Sequence, residues 1–202
     1  SSGQEGTSVI KTDGTLWTWG RGTKGQLGLG NTTTYSSPKQ VGALTTWSSI
    51  DGGGAAQCGF AAIKTDGTLW VWGSGYNGRL GLGNTTDYSS PKQVGALTTW
   101  SWISVGNASA AGVTTGGALW VWGYNSAGQL GLGNTTAYSS PKQVGALTTW
   151  ANVWVGYAFM AARTTSKTLW TWGNGVYGQL GLGNTTSYSS PKQVGALTTW
   201  RN

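Results

Sequence analysis

Large apolar residues along this chain fall in short alternating runs, and the runs recur. Trp70 and Trp72 alternate with Leu69 and Val71, and Gly73 closes the run; the same pattern stands at 16–19, 119–122 and 169–172. A period of two marks a β-strand, whose successive side chains leave opposite faces. Both faces are apolar here, so the strand is buried on both sides. Sheets stacked face to face around an axis supply that environment. The runs predict three more strands per unit. Residues 47–52 (WSSIDG), with 100–106 and 150–156, alternate large and small as a first strand. Residues 60–64 (FAAIK), matched by 7–11 (TSVIK), make a second. Residues 90–94 would be the last. Pro91 lacks an N–H and belongs at an outer edge, where it and Lys92 also discourage pairing with other chains.

Between the second and third strands lies a tight turn. Thr65-Asp66-Gly67-Thr68 and Thr12-Asp13-Gly14-Thr15 carry the Asp-Gly pair that hairpin turns favour. The third copy has Gly116-Gly117 and the fourth Ser166-Lys167, a poorer pair that predicts a looser hairpin. The whole unit repeats almost letter for letter. The segment Gly25–Trp47 returns as 78–100, 128–150 and 178–200, and the prolines at 38, 91, 141 and 191 are spaced by 53, 50 and 50 residues. A repeat of this length cannot bury its apolar face alone and must stack on its neighbours. The chain reads as one repeat domain, 1–202, with repeats at about 1–46, 47–99, 100–149 and 150–199, and with 200–202 beginning a further strand. Ser1 aligns with Gly54, so the first repeat lacks its leading strand and is split between the two ends.

The run DGTLWVWGSGYNGRLGLGNTTDYSSPKQV, from Asp66 to Val94, resembles the RCC1 repeat family: an Asp-Gly turn, an aromatic-x-Trp-Gly strand, a Gly-x-Leu-Gly-Leu-Gly loop and Pro-x-x-Val. The resemblance covers essentially the whole chain. It implies an all-β, RCC1-like β-propeller of four blades, each of four strands and about fifty residues, with the first blade divided between the termini. Two features depart from the family pattern. Family members typically carry seven blades. Many also carry a His before the second strand, where this chain has Gly6, Gly59, Ser109 and Phe159, and it has no His anywhere. The family's nucleotide-exchange activity is therefore not carried over.

Composition narrows the chemistry. Charged residues make up 8% of the chain, against roughly 25% in ordinary domains, while Trp numbers 14. The formal net charge is +7, but lysines such as Lys39, Lys92, Lys142 and Lys192 stand singly, one per repeat. That makes a weak phosphate track, so nucleic acid is set aside as a partner. Cys58 is the only cysteine, which rules out an intrachain disulfide. No apolar run approaches the roughly twenty residues of a membrane span. The acids are Glu5, Asp13, Asp51, Asp66 and Asp87, and no carboxylate pair repeats. No metal site, cofactor site or catalytic triad can be assembled, which points away from an enzyme. The LGLGN loops lack the Lys-Ser/Thr and following helix of a phosphate cradle.

What differs between copies is more informative. The loop after Trp-Gly changes each time, which offers Arg21, Lys24, Tyr76, Asn77, Tyr124, Asn125, Asn174 and Tyr177 as candidate ligand-facing residues. Permissive packing explains the same variation, as it does that of Thr34, Asp87, Ala137 and Ser187. The paired strand tryptophans read as core. Trp102 and Trp154 occur in only some copies and fit either core or a stacking platform. Asn31, Asn84, Asn134 and Asn184 in Asn-Thr-Thr, and Asn107 in Asn-Ala-Ser, match the glycosylation acceptor pattern. The chain opens at Ser1 without Met, as a processed or partial chain would. These readings combine into an expectation: a non-enzymatic, extracellular or virion-surface scaffold, adhesive toward protein or glycan, self-associating through its termini; the alternatives are a structural subunit of a ring or filament with no ligand and, ranked after it, a chromatin or small-GTPase regulator of the RCC1 type.

Overall fold

The structure, a computed structural model, describes residues 6–52 and 59–201. Glu5 and Cys58, with residues 1–4, 53–57 and 202, lie outside the described residues. Among the described residues fifteen strands form four antiparallel sheets in strict chain order. The first holds β1 (Gly6–Ile10), β2 (Leu16–Gly20) and β3 (Tyr35–Gln40). The second holds β4 (Trp47–Gly52), β5 (Phe60–Lys64), β6 (Leu69–Gly73) and β7 (Tyr88–Gln93). The third holds β8 (Trp100–Val105), β9 (Ser109–Thr114), β10 (Leu119–Gly123) and β11 (Tyr138–Gln143). The fourth holds β12 (Trp150–Val155), β13 (Phe159–Thr164), β14 (Leu169–Gly173) and β15 (Tyr188–Gln193). The last strand of each blade begins two residues earlier than the proline alone predicts, because Tyr88 already pairs with Gly73 across a bulge. Pro91 sits on the outer edge strand, where its missing N–H breaks no ladder.

The double-sided apolar strand works as its pattern requires. Trp72 packs backwards, with Leu16, Val41 and Trp47, into the junction between the first and second sheets. Leu69 and Val71 pack forwards with Trp100, Ile103 and Trp122 into the next junction. The third junction repeats this with Leu119, Val121, Trp150 and Trp172. The hydrophobic core is therefore three slabs between blades. A hydrogen bond crosses each slab: Trp72 Nε1 donates to Gln26 O at 3.0 Å, Trp122 Nε1 to Arg79 O at 2.9 Å and Trp172 Nε1 to Gln129 O at 2.8 Å. Of the first strands, β8 contacts both β4 and β12, which turns this edge of the blades toward the axis.

The turns are held by side chains. Asp66 Oδ1 accepts the Thr68 amide at 3.0 Å and the Thr68 hydroxyl at 2.6 Å, and that hydroxyl accepts the Trp70 indole N–H at 2.8 Å. Asp13 and Thr15 repeat the arrangement. Hydrogen bonds from the Thr15 hydroxyl and amide, with Lys11 beside it, hold the Asp13 carboxyl down to about 2. Thr68 likewise lowers Asp66. In the third turn Ala118 replaces the threonine, and the buried Trp120 Nε1 has no acceptor. The fourth hairpin forms without the Gly: the Lys167 amide donates to Thr164 O at 2.9 Å, with Lys167 at a φ of 62°. The consequence lies elsewhere. At Gly14, Gly67 and Gly117 an added Cβ would stand 2.1 Å from the carbonyl oxygen of Thr45, Thr98 or Thr148. Those glycine carbonyls accept the amides of Trp47, Trp100 and Trp150. Lys167 carries a Cβ, and Trp200 lies outside any strand, held instead through Arg163 Nη1, which donates to its carbonyl at 3.4 Å. Among the described residues the first sheet has three strands, with β1 innermost.

Candidate functional site

The variable loops after β2, β6, β10 and β14 share one rim with the turns that join the first and second strands, because Gly6 pairs with Gly20 and Ser109 with Gly123 at that end. Where the first three blades meet, Lys24, Ser74, Tyr76, Arg79, Asp87 and Asn107 line a groove of about 490 Å³. Lys24 Nζ lies 3.6 Å from Asp87 Oδ2, bridging the first and second blades. Both groups are about half exposed, so the pair contributes little stability and leaves its charge to solvent. The Arg79 guanidinium lies 5.6 Å from the Tyr76 ring centre and donates to Tyr76 O and Asn107 O. Tyr76 is 64% exposed, Tyr157 76% and Tyr177 90%. The rim is thus tyrosine-bearing and basic.

Not every candidate faces outward. Asn125 is fully buried: its amide donates to Asn134 O and Thr136 O, and its carbonyl accepts the Leu130 amide. Its presence explains part of the repeat variation. Gly22, Gly75 and Gly175 occupy the corresponding position, and their amides bond to Thr34, Asp87 and Ser187. A Cβ on any of them would stand 2.0–2.1 Å from a threonine carbonyl. Where Asn125 stands, its own side chain bonds that loop, and position 137 is Ala. This pair of variable positions is a structural compensation. Asn174 Oδ1 accepts the Val176 amide and Gln179 Nε2, Asn77 takes a left-handed φ of 59°, and Arg21 Nε donates to Thr23. Tyr124 is 39% exposed. Arg79 and Tyr157, which the sequence reading did not single out, belong to the same rim; Arg79 replaces the Gln26, Gln129 or Gln179 of the other copies, a visible signal.

Asn31, Asn84, Asn134 and Asn184 each cap a turn, accepting the amide two residues on at 2.9–3.0 Å. Asn107 accepts Arg79 through its backbone. The edge lysines Lys39, Lys92, Lys142 and Lys192 lie 5.3–5.7 Å from the ring centres of Tyr35, Tyr88, Tyr138 and Tyr188. Among the described residues no three of His, Cys, Asp or Glu gather as a metal site, and no helix is long and apolar enough to cross a membrane.

Four stacked sheets with Trp-to-loop bonds at each junction define a β-propeller arc. The family model for the regulator of chromosome condensation (RCC1) repeat matches residues 13–56, 66–113, 116–162 and 168–200, and the chain belongs to that family. It is similar to Protein RCC2 of Mus musculus, 39% identical over 90 residues, which covers 43% of this chain and 16% of that protein. It superposes on human WBSCR16 with a TM-score of 0.84 at 24% identity, covering 96% of this chain and 52% of that one. Prp20p of Saccharomyces cerevisiae, described with its binding to Gsp1p and histones, gives 0.82 at 19%, covering 98% and 50%. The chain therefore spans about half of these propellers and a smaller part of RCC2.

These relatives overturn three expectations. Regulators of chromosome condensation and a histone-binding propeller are not adhesive scaffolds, so that function is withdrawn. Chromosomes and histones lie inside cells, against an extracellular or virion-surface location. The expected partners, a second copy through the termini and a protein or glycan ligand with nucleic acid set aside, are corrected by the same relatives: Prp20p is described with its binding to Gsp1p and histones. The reason is physical: sparse, scattered lysines speak only to a phosphate track and carry no information about protein partners.

Proposed function

We propose that this chain is a non-enzymatic, protein-recognising segment of an RCC1-repeat regulator, whose loop rim engages a chromatin-associated protein. The observation that carries this is the groove in which Lys24 of the first repeat meets Tyr76, Arg79 and Asp87 of the second and Asn107 of the third. Tyr and Arg are the residues that dominate protein interfaces, because they combine large contact area with hydrogen-bonding tips. The rigid slabs beneath hold the loops at fixed spacing. The absence of His from the sequence and the scattering of its acids support binding over catalysis. The candidates Arg21, Lys24, Tyr76, Asn77, Tyr124, Asn174 and Tyr177 contribute as contact or loop-shaping residues. The test is binding to histone octamers and mononucleosomes by surface plasmon resonance. Tyr76→Ala with Lys24→Ala weakens binding about tenfold without changing the melt. Binding unaffected by that pair, yet abolished by changing Lys39, Lys92, Lys142 and Lys192 to Gln, would place recognition on the outer edge instead.

A further inference from the structure

The axial strands are where near-identical repeats diverge most in side-chain size. At one position stand Ser49, Trp102 and Asn152; two residues on stand Asp51, Ser104 and Trp154. At each position two of three strands form without tryptophan, so stacking of the blades does not require the ring. Positions two apart share a strand face, and one repeat period carries each onto the neighbouring blade. Trp102, Trp154 and Asp51 consequently line one cleft of about 460 Å³ across β4, β8 and β12. The two ring centres are 6.4 Å apart with planes inclined at 71°. Both rings are only half-buried, unlike Trp72, Trp122 and Trp172.

The polar groups are committed. Trp102 Nε1 donates to Val153 O at 2.8 Å, Asp51 Oδ2 accepts the Val105 amide at 2.9 Å, and Ser104 Oγ accepts the Val155 amide at 3.2 Å. These bonds fix the Trp102 ring and the carboxylate in place, and Trp154 packs against that ring. Asp51 is the ionisable side chain among the cleft's lining residues. Two inclined π faces beside a carboxylate attract a cation. An unmethylated ammonium has three donors to satisfy, while a trimethylammonium group has none. We infer that this cleft binds a trimethylammonium group, carried by a trimethyllysine side chain or by free choline. The inference is independent of the loop rim.

Isothermal titration of the whole chain uses three probes: a short trimethyllysine peptide, the same peptide with a neutral tert-butyl isostere, and choline. The charged peptide or choline binds, the isostere binds at least about tenfold more weakly than the charged peptide, and Asp51→Asn and Trp154→Ser each weaken binding about tenfold. Whichever of peptide and choline binds more tightly identifies the source. Trp154→Ser installs what the third repeat carries there, and Asp51→Asn keeps an acceptor for Val105, so both variants retain the fold. As a readout free of substitution, tetramethylammonium shifts the Trp102 indole N–H resonance of the unaltered protein. Equal affinity for the isostere, unchanged affinity in both variants, or no binding and no shift at millimolar cation overturns the proposal.

Discussion

Replacing Trp122 by Phe isolates what joins one blade to the next. Trp122 is 0% exposed, its indole N–H donates to Arg79 O at 2.9 Å, and its ring stands edge-on to Trp100 at 6.0 Å. Phenylalanine keeps an aromatic ring but loses the N–H and part of the bicyclic surface. The partly buried Arg79 carbonyl loses that donor, which costs about 1–3 kcal/mol. The missing ring atoms and the space they leave cost about 2 kcal/mol more. A loss of about 3–5 kcal/mol in a chain of this size lowers the melting temperature by about 6–20 °C. Trp19 holds the equivalent position in the first blade, where it is half-buried and has no acceptor for its N–H among the described residues. Trp19→Phe therefore costs about 1 kcal/mol or less. Calorimetry of both variants, with near-UV circular dichroism to follow the tryptophans, decides the matter. Equal shifts, or a Trp122→Phe melt within about 2 °C of the parent, would refute the junction bond as a stabilising element.

Three further outcomes follow from the turns. Ala118→Thr supplies Trp120 with the acceptor that Trp17, Trp70 and Trp170 have at 2.8–3.0 Å, and should raise stability by about 1 kcal/mol in urea melts. Lys167→Gly relieves the left-handed backbone and removes the Cβ that the other hairpins lack, stabilising by about 1 kcal/mol and slowing amide exchange at Trp200. Because their folded carboxyls titrate below the ordinary value near 4, Asp13 and Asp66 favour the folded state above about pH 4. That contribution fades as pH falls toward 2. The Asp13→Asn, Asp66→Asn double variant should show a flatter acid limb in stability against pH, and an unchanged limb would count against the turn bonds.

The candidate site was legible only in part. Divergence among near-identical loops pointed to Tyr76, Tyr124, Tyr177 and Lys24, and these reach the rim. The same signal also pointed to Asn125, whose amide is consumed inside its own loop. A variable position looks alike in sequence whether it contacts a ligand or compensates for a lost partner; the pairing of Asn125 with Ala137 separates the two only once the backbone carbonyls are in place. Arg79 went unremarked because its role depends on Asn107, 28 residues away along the chain.

The strands, the Asp-Gly-Thr turns and the order of the blades were determined by the sequence alone, since each depends on a period of two or on bonds between residues a few positions apart. The tertiary structure decided which neighbour each face of Leu69–Trp72 meets, and it brought Asp51, Trp102 and Trp154 into one cleft. Those three lie about one repeat apart, and only the stacking of sheets turns a separation of fifty residues into contact. Local patterns encode a blade. The rotation from one blade to the next, set by the tryptophan slabs, arranges three repeats into a cleft that no single repeat contains.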